Sequence, residues 1–327
     1  MPTNELVEKI VDSITKEFGK GSIMTLSRLP DSGVEQWIST GSALLNNAIG
    51  RPGLPIGRLS SICGKPAAGK TTMATHVLIE TQKAGGIAVL LDTEAAFAPD
   101  RAMRMGIDKD SLIIMQPDHC EDCFLKISKI LDITKTDKTN RFVTIVWDSV
   151  SGTPTRAEVD ADDDATRSEI ASHARLFSLH LRKICKKIQT CNVCLVLINQ
   201  MKENPMVMWG SATSFLAEKP IRFHSTVIID VTQRGKTDDG IITHARISKN
   251  KVAPPYKECD IDVTFDHGYD TKRQLFEAAV QAGLVEVSGG GWYKAEGVSK
   301  SFFQKDFERI LEEFPELNTK VLALVGA

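Results

Sequence analysis

Apolar and polar residues alternate along the chain in the blocks expected of strands and helices. Four continuous apolar runs predict strands that are buried on both faces of a sheet: Leu59–Cys63, Ile87–Asp92, Phe142–Asp148 and Val193–Asn199. The segments between these runs have the composition and length of helices. An alternation of this kind is typical of a mostly parallel sheet with helices on both faces.

The pattern changes in the second half of the chain. Three later runs have no long helix between them: Thr226–Val231, Thr243–Ser248 and Ile261–Phe265. We therefore predict that they extend the sheet with antiparallel strands. From Thr271 onward, helical patterns return at Gln274–Ala282 and Phe302–Phe314, on either side of a glycine-rich turn at Gly289–Tyr293. This last part predicts a small C-terminal α/β domain.

The N-terminal residues predict a separate amphipathic helix, Asn4–Phe18. Its residues Leu6, Ile10, Ile14 and Phe18 recur at intervals of four and form one apolar stripe. The stripe predicts packing either on the core of the same chain or on another subunit. A polar link rich in proline, glycine and aspartate follows. We predict three parts: residues 1–34 as an N-terminal helix and linker, 35–269 as the core, and 270–327 as the C-terminal domain.

A glycine-rich segment follows the first strand and precedes a predicted helix, Thr72–Lys83. It has the pattern G-x-x-x-x-G-K-[ST] and comprises Gly64, Lys65, Pro66, Ala67, Ala68, Gly69, Lys70, Thr71 and Thr72. Backbone N–H groups of such a loop cradle the phosphates of ATP, and the helix N-terminus faces the same anion. Lys70 would contact the β- and γ-phosphates, and the Thr71 hydroxyl would bind Mg²⁺. The alternative is a glycine-rich turn without a ligand.

Two predicted strands end in acidic residues that suit nucleotide chemistry. Asp148 closes the run Phe142–Asp148 and is predicted to bind Mg²⁺ as the second protein ligand. Glu94 follows the run Ile87–Asp92 and would orient and deprotonate an attacking water, provided that it lies beside the phosphate loop. The alternatives are a strand-end cap for Asp148 and a solvated surface group for Glu94.

Composition narrows the class of protein. Of the 327 residues, 42% are hydrophobic and 25% charged, with no apolar run long enough to cross a bilayer. Because the net charge is −2, any polyanion site must be a local basic groove. The seven cysteines predict reduced intracellular thiols. Two C-x-x-C pairs, Cys120/Cys123 and Cys191/Cys194, leave a zinc site as an alternative to packing in the core.

Several further segments have a characteristic spacing relative to the phosphate loop. They are Phe18–Met24, Ile38–Ser42, Gly53–Arg58, Gln116–Asp118, Asp148–Val150, Ile198–Gln200 and Lys249–Lys251. With these segments the chain resembles the bacterial RecA family of DNA strand-exchange recombinases over nearly its whole length. Its divergent loops are compatible with a phage-encoded member. The resemblance implies a RecA-like P-loop ATPase core with a mostly parallel central sheet, an N-terminal helix and a small C-terminal α/β domain.

The resemblance also implies roles for residues around the nucleotide, with ATP and Mg²⁺ as cofactors. Glu94 matches the catalytic glutamate, and Gln200 matches a glutamine that senses the γ-phosphate and orders the next loop. Lys249 and Lys251 match a pair that contacts the ATP of the neighbouring subunit. From the residues alone, the alternative for Gln200 is a strand-end residue that bonds to the backbone, and the alternative for the two lysines is a basic edge-strand face that discourages aggregation.

The DNA-binding residues implied by the resemblance lie on a helix and two loops. The acidic loop Thr153–Ala165 corresponds to the first DNA-facing loop, and Met201–Leu216 to the second. On the helix Arg167–Gln189, Arg175, Ser178 and Arg182 match residues that hold the DNA backbone. In the second loop the implied DNA contacts are Lys202, Met206, Met208 and Trp209. Such contacts would combine phosphate binding with base stacking.

The chain departs from the family pattern in two places. Ala217-Glu218 replaces a Gly-Gly pair near the end of the second loop. In the base pocket, Ala98 stands where an acid would read the adenine amino group, and Arg101 stands where a tyrosine would stack on the base. Arg101 remains a predicted nucleotide contact, because a guanidinium also stacks on a base. Phe265 is expected near the place where a neighbouring subunit covers the base.

The expected function is homologous recombination and DNA repair, including the response to DNA damage. The protein would form a helical filament on single-stranded DNA and pair it with duplex DNA in the cytoplasm of a bacterial or phage-infected cell. Arg222 and Phe223 match a subunit-contact segment. Single-strand-binding and loader proteins are further expected partners, and no membrane is. The alternatives are a RecA-like ring helicase motor and a mediator that loads other recombinases without exchanging strands.

Overall fold

The computed structural model describes residues 5–19, 22–23, 25–28, 33–139, 141–160, 169–203 and 213–325. The chain divides into two compact units, Met1–Glu35 and Gln36–Ala327. Among the described residues, no helix is both long enough and apolar enough to span a membrane.

The first unit contains the helix α1, Glu5–Phe18. Acidic Glu5 and Glu8 lie in its first turn and Lys16 lies in its last turn. Charges of these signs interact favourably with the helix dipole at both ends. The helix ends at Gly19, which adopts φ = 91° and donates its N–H to the carbonyl of Thr15 at 2.9 Å. The predicted N-terminal helix is confirmed.

The second unit contains the other α-helices and all the strands of the described residues. The helices are α2 Ala43–Ile49, α3 Lys70–Lys83, α4 Pro99–Met105, α5 Cys120–Thr136, α6 Arg156–Val159, α7 Glu169–Ile188, α8 Glu218–His224, α9 Thr271–Gln281, α10 Phe307–Glu313 and α11 Pro315–Val325. The strands are β1 Trp37–Ile38, β2 Leu54–Pro55, β3 Leu59–Gly64, β4 Ile87–Asp92, β5 Leu112–Met115, β6 Val143–Asp148, β7 Val193–Glu203, β8 Thr213–Phe215, β9 Val227–Lys236, β10 Gly240–Asn250, β11 Glu258–Thr264, β12 Gly268–Tyr269, β13 Val285–Gly289, β14 Trp292–Ala295 and β15 Phe302–Phe303.

The central sheet is mostly parallel, as predicted. Its order is β12-β11-β10-β9-β3-β7-β6-β4-β5, with β8 paired to β7. The six strands from β9 to β5 in this order are parallel to their neighbours, whereas β10, β11 and β12 are antiparallel. The prediction that Thr226–Val231 is antiparallel is wrong, because β9 pairs in parallel with β3. The short helix α8 precedes β9 and allows the chain to return to the amino end of the sheet.

Helices cover both faces of this sheet, because the side chains of each buried strand alternate between them. On one face Trp147 of β6 packs edge-on against Phe124 of α5, with ring centroids 5.2 Å apart, and Phe177 of α7 completes the cluster. On the other face, the Thr144 hydroxyl of the same strand accepts a hydrogen bond from Thr81 of α3 at 2.6 Å. Continuous apolar sequence in the strands is therefore matched by burial on both sides.

The C-terminal residues form a separate hydrophobic cluster around α9, α10, α11 and the small sheet β13-β14-β15. The prediction of one continuous helix over Phe302–Phe314 is wrong at its start. Phe302 and Phe303 form β15 and pair with Tyr293 and Trp292 of β14. Phe302 is buried in this cluster, and burial of an aromatic side chain against a hairpin favours the extended conformation over the helical one. The helix α10 begins only at Phe307.

Five of the seven cysteines are buried and the other two are half-buried. All seven thiols are free, and no group of three or more His, Cys, Asp or Glu residues in the described ranges is arranged to hold a metal ion. Burial raises the pKa of Cys120 and Cys123, and raises the pKa of Cys194 to about 12, which disfavours the thiolate that zinc requires. Cys191 donates a hydrogen bond from Sγ to the carbonyl of Leu131 at 3.3 Å.

A buried histidine joins the helix after the phosphate loop to the far edge of the sheet. His76 of α3 stacks on Tyr269 with ring centroids 3.8 Å apart, and its Nε2 accepts a hydrogen bond from the Tyr269 N–H at 2.8 Å. A Cβ at Gly268 would lie only 2.4 Å from Nε2, so this close contact requires glycine. Burial, together with the nearby cations Lys83 and Arg101, lowers the pKa of His76 from 6.5 to about 3.

This depressed pKa predicts an acid sensitivity with a defined sign. Between pH 6.5 and pH 3 the unfolded chain binds a proton at His76 that the folded chain does not bind. The free energy of unfolding therefore falls with decreasing pH, by about 1.4 kcal/mol per pH unit from this one group. In H76Q, the glutamine side-chain oxygen can still accept the hydrogen bond from the Tyr269 N–H. The glutamine does not titrate, so the unfolded chain no longer binds a proton at position 76. We expect a smaller pH dependence of urea unfolding between pH 7 and pH 5 for H76Q than for the wild type.

The matched control is His267→Gln, at an exposed histidine, which should keep the pH dependence of the wild type. An identical pH dependence in H76Q and the wild type would contradict the assignment of a neutral, buried His76.

Candidate nucleotide and DNA site

The carboxyl ends of the parallel strands bring the predicted nucleotide residues to one edge of the sheet. Gly64, at the end of β3, is paired with Gln200 of β7, and Asp92 of β4 is paired with Asp148 of β6. Since β6 is also the direct neighbour of β7, the four strand ends form a continuous rim. Ligands of open α/β sheets bind at such a rim.

The phosphate loop has the backbone of an anion-binding nest. Ala67 and Gly69 have φ values of 59° and 91°, and left-handed residues of this kind turn successive N–H groups toward one point. Gly69 also allows a close approach, because a Cβ there would lie 2.8 Å from the Thr243 hydroxyl oxygen. No side chain caps the N-terminus of α3, which begins at Lys70. The first-turn N–H groups of α3 therefore face the loop and suit a phosphate.

Lys70 lies within this loop and close to two acidic side chains. Its Nζ donates to the carbonyl of Lys65 at 2.7 Å, and only 7% of the residue is exposed. Burial lowers the pKa of Lys70, while Asp148 and Glu94 act in the opposite direction. The ammonium group thus lies between the loop backbone and the two carboxylates that the sequence associates with the same chemistry.

Thr71 and Asp148 form a direct contact across the rim. The Thr71 hydroxyl donates to Asp148 Oδ2 at 2.6 Å. Burial raises the pKa of Asp148 to about 6, in spite of the hydrogen bond from Thr71. A desolvated carboxylate beside a hydroxyl provides hard oxygen ligands of the type that Mg²⁺ prefers in nucleotide sites, where waters and phosphates complete the coordination. The residues present therefore fit a nucleotide-bound Mg²⁺.

Glu94 meets the condition that the sequence analysis placed on it. Although β4 is separated from β3 by two strands, Glu94 Oε1 accepts a hydrogen bond from Gln200 Nε2 at 3.2 Å, and Gln200 is paired with Gly64. The Ser149 hydroxyl also donates to Glu94 Oε1. A Cβ at Gly152 would lie 2.6 Å from the same oxygen, so this glycine leaves room for the carboxylate. Glu94 is therefore held by two donors beside the phosphate loop.

A cavity of about 300 Å³ adjoins the phosphate loop and suits a nucleotide base. It is lined by Ala67, Gly69, Lys70, Thr71, Thr72, Arg101, Ile241, Val263 and Phe265. Arg101 donates from Nε to the carbonyl of Phe265 at 2.5 Å and from Nη2 to the Thr72 hydroxyl at 3.1 Å. Burial and nearby Arg104 lower the pKa of Arg101.

Phe265, expected near a neighbouring subunit, lines the cavity of its own chain. Ala98 caps α4 without a side-chain hydrogen bond.

Lys249 and Lys251 lie away from the phosphate loop of their own chain. Lys249 is paired with Ile228, which is paired with Ser61 of β3, three residues before Gly64. This separation is about 10 Å along the strand. Lys249 Nζ donates to the carbonyl of Arg222, and Lys251 Nζ donates to that of Phe223 at 3.2 Å. Burial and the neighbouring Lys251 lower the pKa of Lys249 to about 8.

The helix α7 presents the predicted DNA-backbone residues on one face. Arg175 and Arg182 are exposed and Ser178 is half-buried. Beside them is a groove of about 420 Å³ between α7 and α8, which is lined by Ala174, Ser178, Arg182, Lys219, Pro220, Phe223 and His224. Of the predicted second-loop contacts, Met206, Met208 and Trp209 lie outside the described residues. Lys202 belongs to β7, where it is paired with Ser214 of β8.

The segment after the second loop combines a strained residue with an exposed aromatic one. Ala217 adopts φ = 52°, which normally favours glycine, so the chain keeps the left-handed turn although it carries alanine. Arg222 pairs with Glu218 at 2.6 Å and lies over the Phe215 ring. Phe223 is 73% exposed. Phe223 also lines the groove between α7 and α8.

Comparison with known proteins decides the family. The sequence model of the RecA N-terminal domain matches residues 5–270. Protein RecA of Heliobacterium modesticaldum is 33% identical, over 98% of this chain and 92% of its own length. Protein RecA of Gluconacetobacter polyoxogenes is 34% identical over 96% and 89%, and that of Chlorobium limicola is 35% identical over 86% and 80%.

The chain belongs to the RecA family. Members of this family act in ATP-dependent DNA recombination and repair, and this is the function of the chain. The RecA assignment rests on the match of nearly the whole chain, and the strand order at the rim agrees with the fold that the resemblance implied.

Several residues of the RecA site were not identified from the sequence. Ser149 and Ser151 bind Glu94 and the Gln200 N–H, and the Thr93 hydroxyl lies 3.1 Å from the carbonyl of Ser149. The hydroxyl of Thr243 donates to the carbonyl of Ala68 at 3.1 Å and supports the phosphate loop from β10. A serine or threonine at a strand end carries no distinctive local pattern, so only the three-dimensional neighbours show its part in the site.

The base cavity predicts weak discrimination between purines. Among its described lining residues there is no carboxylate or amide side chain to accept from the adenine amino group, and Arg101 already occupies the carbonyl of Phe265. Arginine donors instead suit O6 and N7 of guanine. We expect kcat/KM for GTP within about tenfold of that for ATP, because a site without a specific acceptor discriminates weakly.

In R101A, we expect kcat/KM to fall more for GTP than for ATP. The control is Arg104→Ala, whose guanidinium pairs with Asp266 at 3.2 Å and does not line the cavity. A preference of the wild type for ATP above about 100-fold would contradict this account of the cavity, as would equal losses for both nucleotides in R101A.

Proposed function

We propose that the chain is a DNA-dependent ATPase that assembles as a helical filament on single-stranded DNA and exchanges strands with homologous duplex DNA. The observation that carries the proposal is the contact between Glu94 and Gln200. Glu94 lies beside the phosphate loop, and Gln200 belongs to β7, the strand that continues into the second DNA-facing loop. One hydrogen bond therefore joins the hydrolytic side of the site to its DNA-binding side.

In this proposal the residues Gly64–Thr72 hold the triphosphate, and Lys70 stabilises the charge on its β- and γ-phosphates. Thr71 and Asp148 would hold Mg²⁺, which supplies positive charge to the phosphate oxygens. Glu94 accepts a proton from the attacking water, with its carboxylate oriented by Ser149 and Gln200. The complete set of these side chains at one rim supports hydrolysis rather than the alternative of a mediator that only binds.

Gln200 is the proposed link between nucleotide and DNA. Its backbone N–H donates to the Ser151 hydroxyl at 2.9 Å, and its side-chain amide is free to exchange Glu94 for a phosphate oxygen as its partner. Such an exchange would pull on the end of β7 and bias the following loop toward a second arrangement. A loop controlled by one contact of this kind is a two-state element.

The position of Lys249 and Lys251 supports completion of the site by a neighbouring protomer. Both ammonium groups lie on the carbonyls at the C-terminus of α8, on the amino side of the sheet. They cannot serve their own phosphate loop at the opposite rim without a large movement. In a head-to-tail assembly the pair would instead contact the ATP of the next protomer, with Phe223 and Arg222 in the same interface. Repeated head-to-tail contacts generate an open helix.

The proposed DNA contacts are Arg175, Ser178 and Arg182 on α7, together with the second loop. Contacts to phosphates are independent of sequence and weaken with salt. Base pairing then supplies the sequence recognition, so the protein needs no readout of base edges. We also propose that residues 1–34, 35–269 and 270–327 act as oligomerisation helix, ATPase core and C-terminal domain. The separate hydrophobic cluster of the C-terminal residues supports the last boundary.

The proposal extends to the cell. The cytoplasm of a bacterial or phage-infected cell is the proposed compartment, and single-strand-binding and loader proteins are proposed partners. The free thiols are compatible with a reducing compartment.

The direct test measures ATP hydrolysis with and without single-stranded DNA, and joint-molecule formation with homologous duplex DNA. We expect DNA to stimulate hydrolysis by the wild type and joint molecules to form with ATP. In E94Q, the loss of the base should lower hydrolysis by about 100-fold or more, while ATP binding changes little.

The matched control is Glu80→Gln, at an acid of α3 that pairs with Lys83 on the surface. It should behave as the wild type in both assays. Hydrolysis by the wild type without any DNA stimulation would contradict the proposed function, and full turnover by E94Q would contradict the proposed role of Glu94.

A further inference from the structure

A buried histidine connects the DNA-facing helix to the first loop. His173 of α7 is 4% exposed. Its Nδ1 lies 3.3 Å from Glu158 Oε1, and its Nε2 lies 3.4 Å from the carbonyl oxygen of Thr153. Thr153 and Glu158 both belong to the first part of the loop Thr153–Ala165, which follows Asp148. Both ring nitrogens of His173 therefore face acceptors of the same loop.

The two acceptors are held firmly from the other side. Glu158 Oε2 accepts from the Thr155 N–H at 2.5 Å, which closes a capping box at the start of α6. The Thr153 carbonyl also accepts from Cys120 Sγ of α5 at 3.2 Å. The segment from Thr153 to Glu158 is therefore attached to the core by its other contacts. His173 is the residue through which a movement of α7 would be transmitted to this segment.

That segment leads directly to the hydrolytic carboxylate. The Thr153 hydroxyl lies 2.6 Å from the carbonyl oxygen of Ser149 and 2.8 Å from the Thr93 hydroxyl. Ser149 in turn donates from its own hydroxyl to Glu94. Hydrogen bonds thus connect His173 to Thr153, Thr153 to Ser149 and Ser149 to Glu94, and Thr153 and Ser149 each use a carbonyl for one bond and a hydroxyl for the other.

The chemistry of imidazole gives this series more than one arrangement. A ring nitrogen donates only when it carries a proton, so the ring donates to Glu158, to the Thr153 carbonyl or to both. A small rotation or shift of α7 changes which of the two bonds is made. The exposed Arg175 and Arg182 are on the same helix, so a DNA strand that contacts them acts on the position of His173.

We propose that His173 is a positioning residue for DNA-stimulated hydrolysis. DNA held on the outer face of α7 changes the contact of His173 with Thr153 and Glu158, and through Ser149 this change sets the orientation of the Glu94 carboxylate. The inference rests on the proposed function, because it requires DNA on α7 and Glu94 as the base. This role differs from a packing role. Loss of a packing residue would affect folding, whereas loss of His173 should lower the stimulation of ATP hydrolysis by DNA without lowering DNA affinity.

The test uses the full chain and three measurements: basal ATP hydrolysis, hydrolysis with saturating single-stranded DNA, and DNA affinity in the presence of a non-hydrolysable ATP analogue. In H173A, we expect DNA stimulation to fall about tenfold, which is within the range of mutational effects on coupling, while basal hydrolysis and DNA affinity stay within about twofold. H173Q keeps a side-chain amide that can donate to one acceptor, so it should recover part of the stimulation.

The matched control is His180→Ala. His180 is on the same helix and stacks on Phe124 with ring centroids 4.6 Å apart, and it makes no contact with the first loop among the described residues. It should keep the stimulation of the wild type. Glu158→Ala provides a second variant from the other side of the contact, should H173A fold poorly, and it should lower stimulation in the same way.

The outcomes separate this inference from the proposed function. Wild-type stimulation that is unchanged in H173A and E158A would overturn the role of His173 and leave the proposed function intact. A loss of DNA affinity as large as the loss of stimulation would also overturn it, because His173 would then be part of DNA binding. An absence of DNA stimulation in the wild type would contradict the proposed function itself.

Discussion

The structure depends on the parallel register of β3, β7, β6 and β4. Parallel strands place all their carboxyl ends at one rim, and this register gathers the phosphate loop, Gln200, Asp148 and Glu94 from distant parts of the sequence. Each of these groups is carried by a strand that is buried on both faces, so its backbone is fixed by packing. The side chains at the rim are then oriented by short hydrogen bonds, such as that from Thr71 to Asp148. A preorganised arrangement of this kind suits charge stabilisation in phosphoryl transfer.

The same register explains why one chain holds only part of the proposed site. Lys249 lies near the end of the antiparallel strand β10 and Lys251 follows that strand, so both lie toward the amino side of β3, whereas the phosphate loop lies at its carboxyl end. In the single chain, the ammonium groups of Lys249 and Lys251 contact carbonyls at the C-terminus of α8 and stabilise that end of the helix. The proposed anionic partner is the ATP of a neighbouring protomer. In the proposed filament, hydrolysis requires two protomers in contact, and assembly on DNA and turnover of ATP become one linked process.

Local sequence patterns predicted the central elements because their causes are local. The apolar runs specify buried strands, and Gly64, Gly69 and Lys70 specify the phosphate loop at fixed spacing. The direction of β9 was predicted wrongly, because it depends on the crossover through α8. The strand at Phe302 was missed because its burial is set by distant partners in the C-terminal cluster. Ser149 and His173 were not identified either, since their meaning comes from contacts with Glu94 and Glu158. The resemblance supplied residue roles that periodicity could not.

The measurement that tests the account most directly is ATP hydrolysis by mixed filaments on single-stranded DNA. One variant, E94Q, keeps both lysines but lacks the proposed base, and the other, K249A/K251A, keeps the base but lacks the lysines. If neighbours share the site, random mixing in equal amounts restores an intact interface at one contact in four, and hydrolysis rises to about a quarter of the wild-type rate, well above that of either variant alone. A mixture no more active than the sum of the separate variants would contradict a site shared between protomers.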